Sequence, residues 1–306
     1  MRFDTKIRFD FVNNRKKFFI GSIALTLVGI ISLLLMSMNF GVDFKAGTNM
    51  DIAVGKQLSQ QEANQIFESV GISSATTTIG GAGDRVSARF NDVLAQNQIT
   101  SIQNAFKEKY GDDVSTEVNV VTPDMAKEMG INSIYAVLIA SVAMMLYVII
   151  RFDWRSAVAA NVAILYDAFV VIAIFSIFRL EVDLTFIAAV LTTIGYSIND
   201  KIVILDRIRE NLRFGQYKNN EQLASLVNQS VWQTMARNIY TVLAVVIIAV
   251  ALLVLGSESI RLFSLAMLIG LISGAYSSIC ITSPLWYVLK SKEKRKSAVK
   301  PTTSAS

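Results

Sequence analysis

Six apolar runs, spanning residues 18–38, 131–150, 157–178, 184–205, 237–255 and 262–289, constrain this chain more than any other feature. A helix that crosses a bilayer needs ~20 mostly apolar residues at ~1.5 Å rise each, and all six runs reach about that length. Inside hydrocarbon every backbone N–H and C=O has to be satisfied within the protein, so runs of this kind are expected as helices. The composition agrees. Of 306 residues, 53% are hydrophobic and 17% charged, with a mean hydropathy of +0.46, too apolar and charge-poor for an ordinary soluble domain. The first run follows a basic start but exceeds the roughly 7 to 15 residues of a signal core and has no Ala-x-Ala site after it, so it is expected to be an uncleaved anchor.

Basic residues near span ends resist export, which gives an orientation. Arg2, Lys6, Arg8, Arg15, Lys16 and Lys17 precede the first run, Arg151 and Arg155 occupy the second turn, and Arg207 to Arg213 and Lys290 to Lys300 add two more clusters. The alternate short turns hold one cation each, Arg179 and Arg261. Both termini, 1–17 and 290–306, are therefore expected in the cytoplasm and 39–130 outside. The pI near 9.2 comes mostly from these clusters, which suit anionic membrane lipids and do not point to nucleic acid. No histidine is present, and Cys280 is the single cysteine, which excludes His-based triads, His/Cys zinc sites and an intrachain disulfide. No Gly-x-x-x-x-Gly-Lys-Ser/Thr loop is present to cradle nucleotide phosphates, and no cofactor is expected.

In the outer segment the pattern changes to short alternations and amphipathic stretches. Asn49 to Val54 reads as a strand; Ser59 with Glu62 forms a capping box for a helix through Ala63, Ile66, Phe67 and Val70 that stops at Gly71. Strands are expected at Ala75 to Ile79 and Arg85 to Phe90, joined by Gly80, Gly81 and Gly83. A second helix, capped near Asn91 or Asp92, buries Ile99, Ile102 and Phe106 and ends at Gly111, before a strand from Thr116 to Val121. Pro123 and Gly130 bracket the return to the membrane. The expected fold class is thus an all-α membrane bundle of six transmembrane helices with one small extracytoplasmic α+β domain, ferredoxin-like in its βαββαβ order. The segment 206–236 places Leu223, Leu226, Val227, Val231 and Met235 at helical spacing, which suits either a helix lying on the membrane surface or a connector packed on the span ends. Gly270 and Gly274 in the sixth run permit a close helix contact.

Ionisable side chains inside spans cost ~2.5 to 3.5 kcal/mol or more, so they face protein and serve a purpose. Asp167 lies in the third run, with Asn161 and Tyr166 nearby; Asp200 lies in the fourth between Asn199 and Lys201; Arg237 opens the fifth. Asp200 precedes Asp206 by ~9 Å of helix. If the fifth helix begins earlier, near Gln229, Arg237 reaches that depth. Asp200 exchanging counter-charges would take up and release a proton; a permanent bridge to Arg237 or Lys201 that only fixes packing is the open alternative. For Asp167 the simpler expectation is a neutral carboxyl satisfied by Asn161, Tyr166 or a nearby serine. Asp206, Arg207, Arg209 and Glu210 suit a solvated helix end.

The stretch Leu191-Thr-Thr-Ile-Gly195-Tyr196-Ser-Ile-Asn199-Asp200-Lys201-Ile-Val-Ile-Leu-Asp-Arg-Ile-Arg-Glu-Asn211 resembles the signature of the SecF family. Leu180-Glu-Val-Asp-Leu184 and Gly41-Val-Asp43-Phe44-Lys-Ala-Gly47-Thr48 resemble it too, and the likeness runs nearly to Lys290. It implies a bacterial inner-membrane subunit of the Sec preprotein translocase, without enzymatic activity, in the resistance-nodulation-division superfamily. Its implied partners are SecD, SecYEG, YidC, YajC and unfolded preprotein. The resemblance also implies that Asp200 and Arg237 couple export to a proton or sodium gradient, with Asn199, Lys201, Asp167 and Tyr196 as secondary candidates and Asp43, Phe44, Gly47 and Gly195 as motif positions. Two departures stand out: Ala46 replaces a glycine, so a φ > 0 there would be strained, and Lys201 replaces a common threonine, bringing a second cation beside Asp200. Two other readings are a small-molecule or lipid pump, whose chains run about twice as long, and an intramembrane aspartyl protease using Asp167 and Asp200, which lacks its Gly-x-Gly-Asp.

Overall fold

The computed structural model describes residues 9–72, 75–80, 83–214, 217 and 219–298, the side chains of 75, 258–259 and 293–298 excepted. Arg2, Lys6 and Arg8 of the basic start, Gly81, and Lys300 in the tail lie outside these residues. Helix α1 (Arg15–Met36) leads through β1 (Asn39–Phe40) and α2 (Val42–Lys45) into a small domain made of β2 (Gly47–Ala53), α3 (Gln60–Ser69), β3 (Ala75–Gly80), β4 (Arg85–Phe90), α4 (Gln96–Tyr110) and β5 (Ser115–Val121). The chain then continues through α5 (Pro123–Arg151), α6 (Trp154–Ile177), β6 (Glu181–Val182), α7 (Leu184–Phe214), α8 (Asn220–Leu255), α9 (Glu258–Ser277), a π-helical turn (Ser278–Thr282) and α10 (Ser283–Ala298). Among the described residues six helices, the last running from Ile260 through the π turn to Lys292, are long and apolar enough to cross a membrane.

The small domain has its own core, because the alternating residues of one sheet face meet the apolar stripes of two helices. Met50, Ile52, Val86, Ala88 and Phe90 pack against Ala63, Ile66, Phe67, Ile99, Ile102 and Phe106. Its four strands run in the order β3-β4-β2-β5, and every neighbouring pair is antiparallel. Ser59 and Glu62 form the expected capping box at α3; their hydrogen bonds hold the Glu62 carboxyl below its ordinary range. Helix α4 starts later than its sequence suggested: Ala95, not Asn91 or Asp92, is the N-cap, and the Gln98 side chain accepts from its backbone N–H at 2.9 Å. Asn91 and Asp92 instead belong to a connection held by Thr48, which donates to Asp92 O (3.2 Å) and accepts from Leu94 N (2.9 Å).

Three contacts bind this domain to the turn between α6 and α7. Strand β1 pairs in parallel with β6, Asp43 accepts from the Leu184 backbone N–H at 3.0 Å at the start of α7, and Arg89 of β4 forms an ion pair with Glu181. Gly41 lies close against this pair, since a Cβ there would fall 2.5 Å from Glu181 Oε1 and make that carboxylate shift. Gly47, at φ +145°, lies where a Cβ would come within 2.4 Å of the Phe90 carbonyl oxygen. Ala46 sits at φ +70°, ψ 155°, a conformation proper to glycine, so the strain expected from its replacement is present.

The segment 206–236 forms no separate surface helix. Helix α7 continues to Phe214 and α8 begins at Asn220, so one 31-residue and one 36-residue helix run ~46 and ~54 Å, well beyond a ~30 Å hydrocarbon core. They continue because Ile204, Leu205 and Ile208 pack against Leu223, Val227 and Val231, while Leu226 is only partly buried. Burial between two helices outcompetes burial in the interface plane. The segment before α1 joins them: Asn228 Oδ1 accepts from Phe11 N and Val12 N at 3.0 and 3.2 Å. The π turn has a local cause. Pro284 has no N–H to give a carbonyl one turn back, and its ring clashes there, so the ladder widens by one residue before the helix resumes.

Candidate ion-coupling site in the membrane-spanning bundle

Helices α6, α7 and α9 meet where α9 carries Gly270 and Gly274. A Cβ at Gly270 would fall 2.2 Å from Thr193 Oγ1, and one at Gly274 would lie 3.6 Å from Ser197 Cα. The expected small-residue contact is therefore made, with α7 as its partner. Such close approach brings short polar side chains of three helices within hydrogen-bonding range of one another.

Asp167 and Lys201 form a salt bridge there at 2.7 Å, both side chains 0% exposed. Asp167 Oδ2 also accepts from Ser197 Oγ (2.6 Å) and Ser277 Oγ (2.7 Å), and Oδ1 accepts from Ser273 Oγ (2.7 Å). Lys201 Nζ donates further to Ser277 Oγ at 2.9 Å and Ser197 Oγ at 2.5 Å. Serines do satisfy Asp167, as one of the sequence expectations had it, but Asn161 and Tyr166 do not, and its main partner is a cation.

Asp200 is different. It is buried, yet it makes no ion pair and no hydrogen bond among the described residues. Neither permanent bridge foreseen from sequence exists. Lys201 turns away because consecutive helical residues point ~100° apart, and Arg237 is an exposed residue of α8 whose side chain has no hydrogen bond or ion pair among the described residues. The charges acting on Asp200 through space are those of Lys201, Arg237 and Asp167. Its carboxylate lines a cavity of about 270 Å³ together with Tyr196, Asn199, Thr241, Gly270 and Gly274. Arg237 lies one helical turn from Thr241, whose hydroxyl donates to the Arg237 carbonyl at 2.9 Å.

The sequence-predicted residues thus divide. Tyr196, Asn199 and Asp200 share the cavity; Lys201 and Asp167 share the ion pair behind it; Asp43, Phe44 and Gly47 belong to the junction with the small domain. A Cβ at Gly195 would meet nothing, so packing within this chain places no demand for glycine there. Asp167 cannot serve Asp200 as the second carboxylate of an aspartyl protease, since both its oxygens are taken. Ser197, Ser273, Ser277 and Thr241 were missed. A faint signal existed: Ser273 and Ser277 are four apart and flank Gly274, and Ser197 is four before Lys201.

Residues 101–292 match the family model described as "Protein export membrane protein SecD/SecF, C-terminal". The chain belongs to this family. It is 42% identical over 295 residues to the protein translocase subunit SecF of Alicyclobacillus acidocaldarius, covering 95% of this chain and 96% of that one. It is 44% identical over 290 residues to the protein translocase subunit SecDF of Bacillus subtilis, of which it spans 39%. The crystal structure of SecDF, a translocon-associated membrane protein from Thermus thermophilus, superposes on 93% of this chain with a TM-score of 0.78 at 29% identity, the match covering 39% of that protein. SecDF in its super-membrane-facing form matches less closely, at 0.65 and 27%. As a SecF-type chain it is a multi-pass membrane protein, and its SecF and SecDF relatives are translocase subunits.

Proposed function

We propose that this chain acts with SecD as a gradient-driven subunit of the Sec translocase, and that Asp200 is the group through which the ion works. One observation carries this: Asp200, buried within a membrane-spanning helix at the wall of a cavity, has no hydrogen bond or counter-ion among the described residues. Such a group costs several kcal/mol to keep at membrane depth, which marks it as a functional position. Arg237, one helical turn from the cavity-lining Thr241, has no side-chain hydrogen bond or ion pair among the described residues, so it is free to approach when the helices shift. Pairing and unpairing would change the affinity of Asp200 for a proton, or for sodium. One charge crossing ~100 mV releases ~2.3 kcal/mol, enough to bias a two-state element.

In this reading the termini are cytoplasmic, the membrane is the bacterial inner membrane, and the small domain is a ferredoxin-like extracytoplasmic module that works on preprotein emerging from SecYEG, with YidC and YajC as further partners. Arg89–Glu181 and the β1–β6 pairing support transmission, because they join the small domain to the turn that opens α7, the helix carrying Asp200. The open face bearing Gly195, Tyr196 and Asn199 suits SecD.

The test is preprotein export in membrane vesicles containing wild type, Asp200→Asn or Arg237→Ala, with proton and sodium gradients collapsed separately. Both variants are expected to lose the gradient-dependent component and keep the remainder. Undiminished gradient-dependent export by Asp200→Asn would sink the proposal.

A further inference from the structure

The ion pair behind Asp200 plays no part in that cycle, yet it is the most completely satisfied polar cluster among the described residues. Lys201 Nζ lies 2.7 Å from Asp167 Oδ2, 2.9 Å from Ser277 Oγ, 2.5 Å from Ser197 Oγ and 3.3 Å from Ser197 O. An ammonium has three protons, and carboxylate, Ser277 and Ser197 take one each. Ser273 holds the other carboxylate oxygen at 2.7 Å. Around the ammonium are therefore a carboxylate, hydroxyls and a backbone carbonyl, contributed by three helices and shielded from water. These are the ligands that hard cations take, and unwound or exposed carbonyls with hydroxyls are what membrane transporters offer to sodium.

We propose that Lys201 is a tethered cation filling an oxygen cage that would otherwise accept sodium, and that it is the residue excluding sodium from this cage. The inference rests on the ion-coupling reading above and deepens it: with the cage closed, Asp200 is the one buried carboxylate among the described residues left to handle an ion. The physics is charge balance in a dry site. Asp167 and Lys201 are neutral together, so an entering sodium ion would be an uncompensated buried charge, which proteins avoid. Without the lysine the cage carries one negative charge and has lost the volume of an ammonium and its stem. A dehydrated monovalent cation then restores both charge and ligation.

The experiment uses the full-length chain in lipid nanodiscs. Thermal unfolding is followed in sodium, potassium and choline chloride at equal ionic strength, with direct ²²Na⁺ binding alongside. Wild type is expected to show no sodium-specific stabilisation or binding that Ser277→Ala removes. Lys201→Ala and Lys201→Ser should bind sodium, and their midpoints should rise by roughly 3 to 6 °C once sodium is about tenfold above its dissociation constant. Adding Ser277→Ala should remove that rise. Sodium binding by wild type that Ser277→Ala abolishes overturns the proposal, as does absence of sodium binding in both lysine variants. Failure of both variants to fold in sodium as well as in choline also overturns it, since sodium should replace the lysine. Loss of the ion-coupling reading would appear separately, in export by Asp200→Asn, and would leave these binding results unchanged.

Discussion

Replacing Lys201 by methionine keeps most of the side-chain volume and removes the charge, leaving the Asp167 carboxyl 0% exposed, without its counter-charge and held by hydroxyls alone. Breaking a buried ion pair from one side costs ~3 to 5 kcal/mol. Three serine donors remain on the carboxylate, and each hydrogen bond to a charged group contributes ~1.5 to 3 kcal/mol, so the loss should fall near the lower end, about 3 kcal/mol. Asp167→Leu strands the ammonium instead, with only hydroxyls and a carbonyl for acceptors, and should cost at least as much. The double variant removes both charges. Its core is apolar, and buried pairs replaced in this way are often neutral or better; allowing for the serines left without a carboxylate, it should lie within ~2 kcal/mol of wild type. The coupling energy between the two sites is then about 4 kcal/mol or more. Unfolding in mixed micelles, in sodium-free choline buffer and followed by the fluorescence of buried Trp286, gives all four corners of the cycle. Additive losses, or a loss below about 1 kcal/mol for Lys201→Met, would refute the claim that this pair holds the three helices. By the same reasoning Asp167→Asn removes the counter-charge of a fully buried lysine and should not be silent.

Gly270→Ala drives a methyl into Thr193, a buried residue on the facing helix, and overpacking of this kind costs ~1 to 3 kcal/mol; a lowered unfolding midpoint, recovered in part by Thr193→Ala, is the expected result. Ala46→Gly removes a non-glycine residue from φ +70°, relieving ~1 to 3 kcal/mol of strain against ~0.5 to 1 kcal/mol of chain entropy. A small rise in the midpoint is expected, and a fall would show that the methyl, 9% exposed against Val121 and Ala126, contributes more than its backbone costs.

Much of the architecture was legible because it is local. Length and hydropathy mark a span wherever they occur. In the small domain, the Ser59–Glu62 box and the glycine at position 71, at φ +80°, are signals a few residues long, and the alternation of Met50, Ile52, Val86, Ala88 and Phe90 follows the pleat. The start of α4 was misplaced because Asn91 and Asp92 carry good capping side chains, and nothing local says that Thr48, more than forty residues away, engages their backbone. The fusion of 206–236 with the two long helices was likewise hidden: an amphipathic stripe shows that a face is buried, not whether lipid or another helix buries it.

The sequence by itself determined that ionisable groups lie at membrane depth, and which ones. Only the tertiary structure decided how they pair. Asp200 and Lys201 are neighbours in the chain and part company in space, while Lys201 finds a carboxylate 34 residues away and a serine 76 away. Spans that are apolar on every side carry no periodicity to announce which face turns inward. Their rotation is fixed by close packing at places such as Gly270 and Gly274, and rotation chooses the partner of each charge.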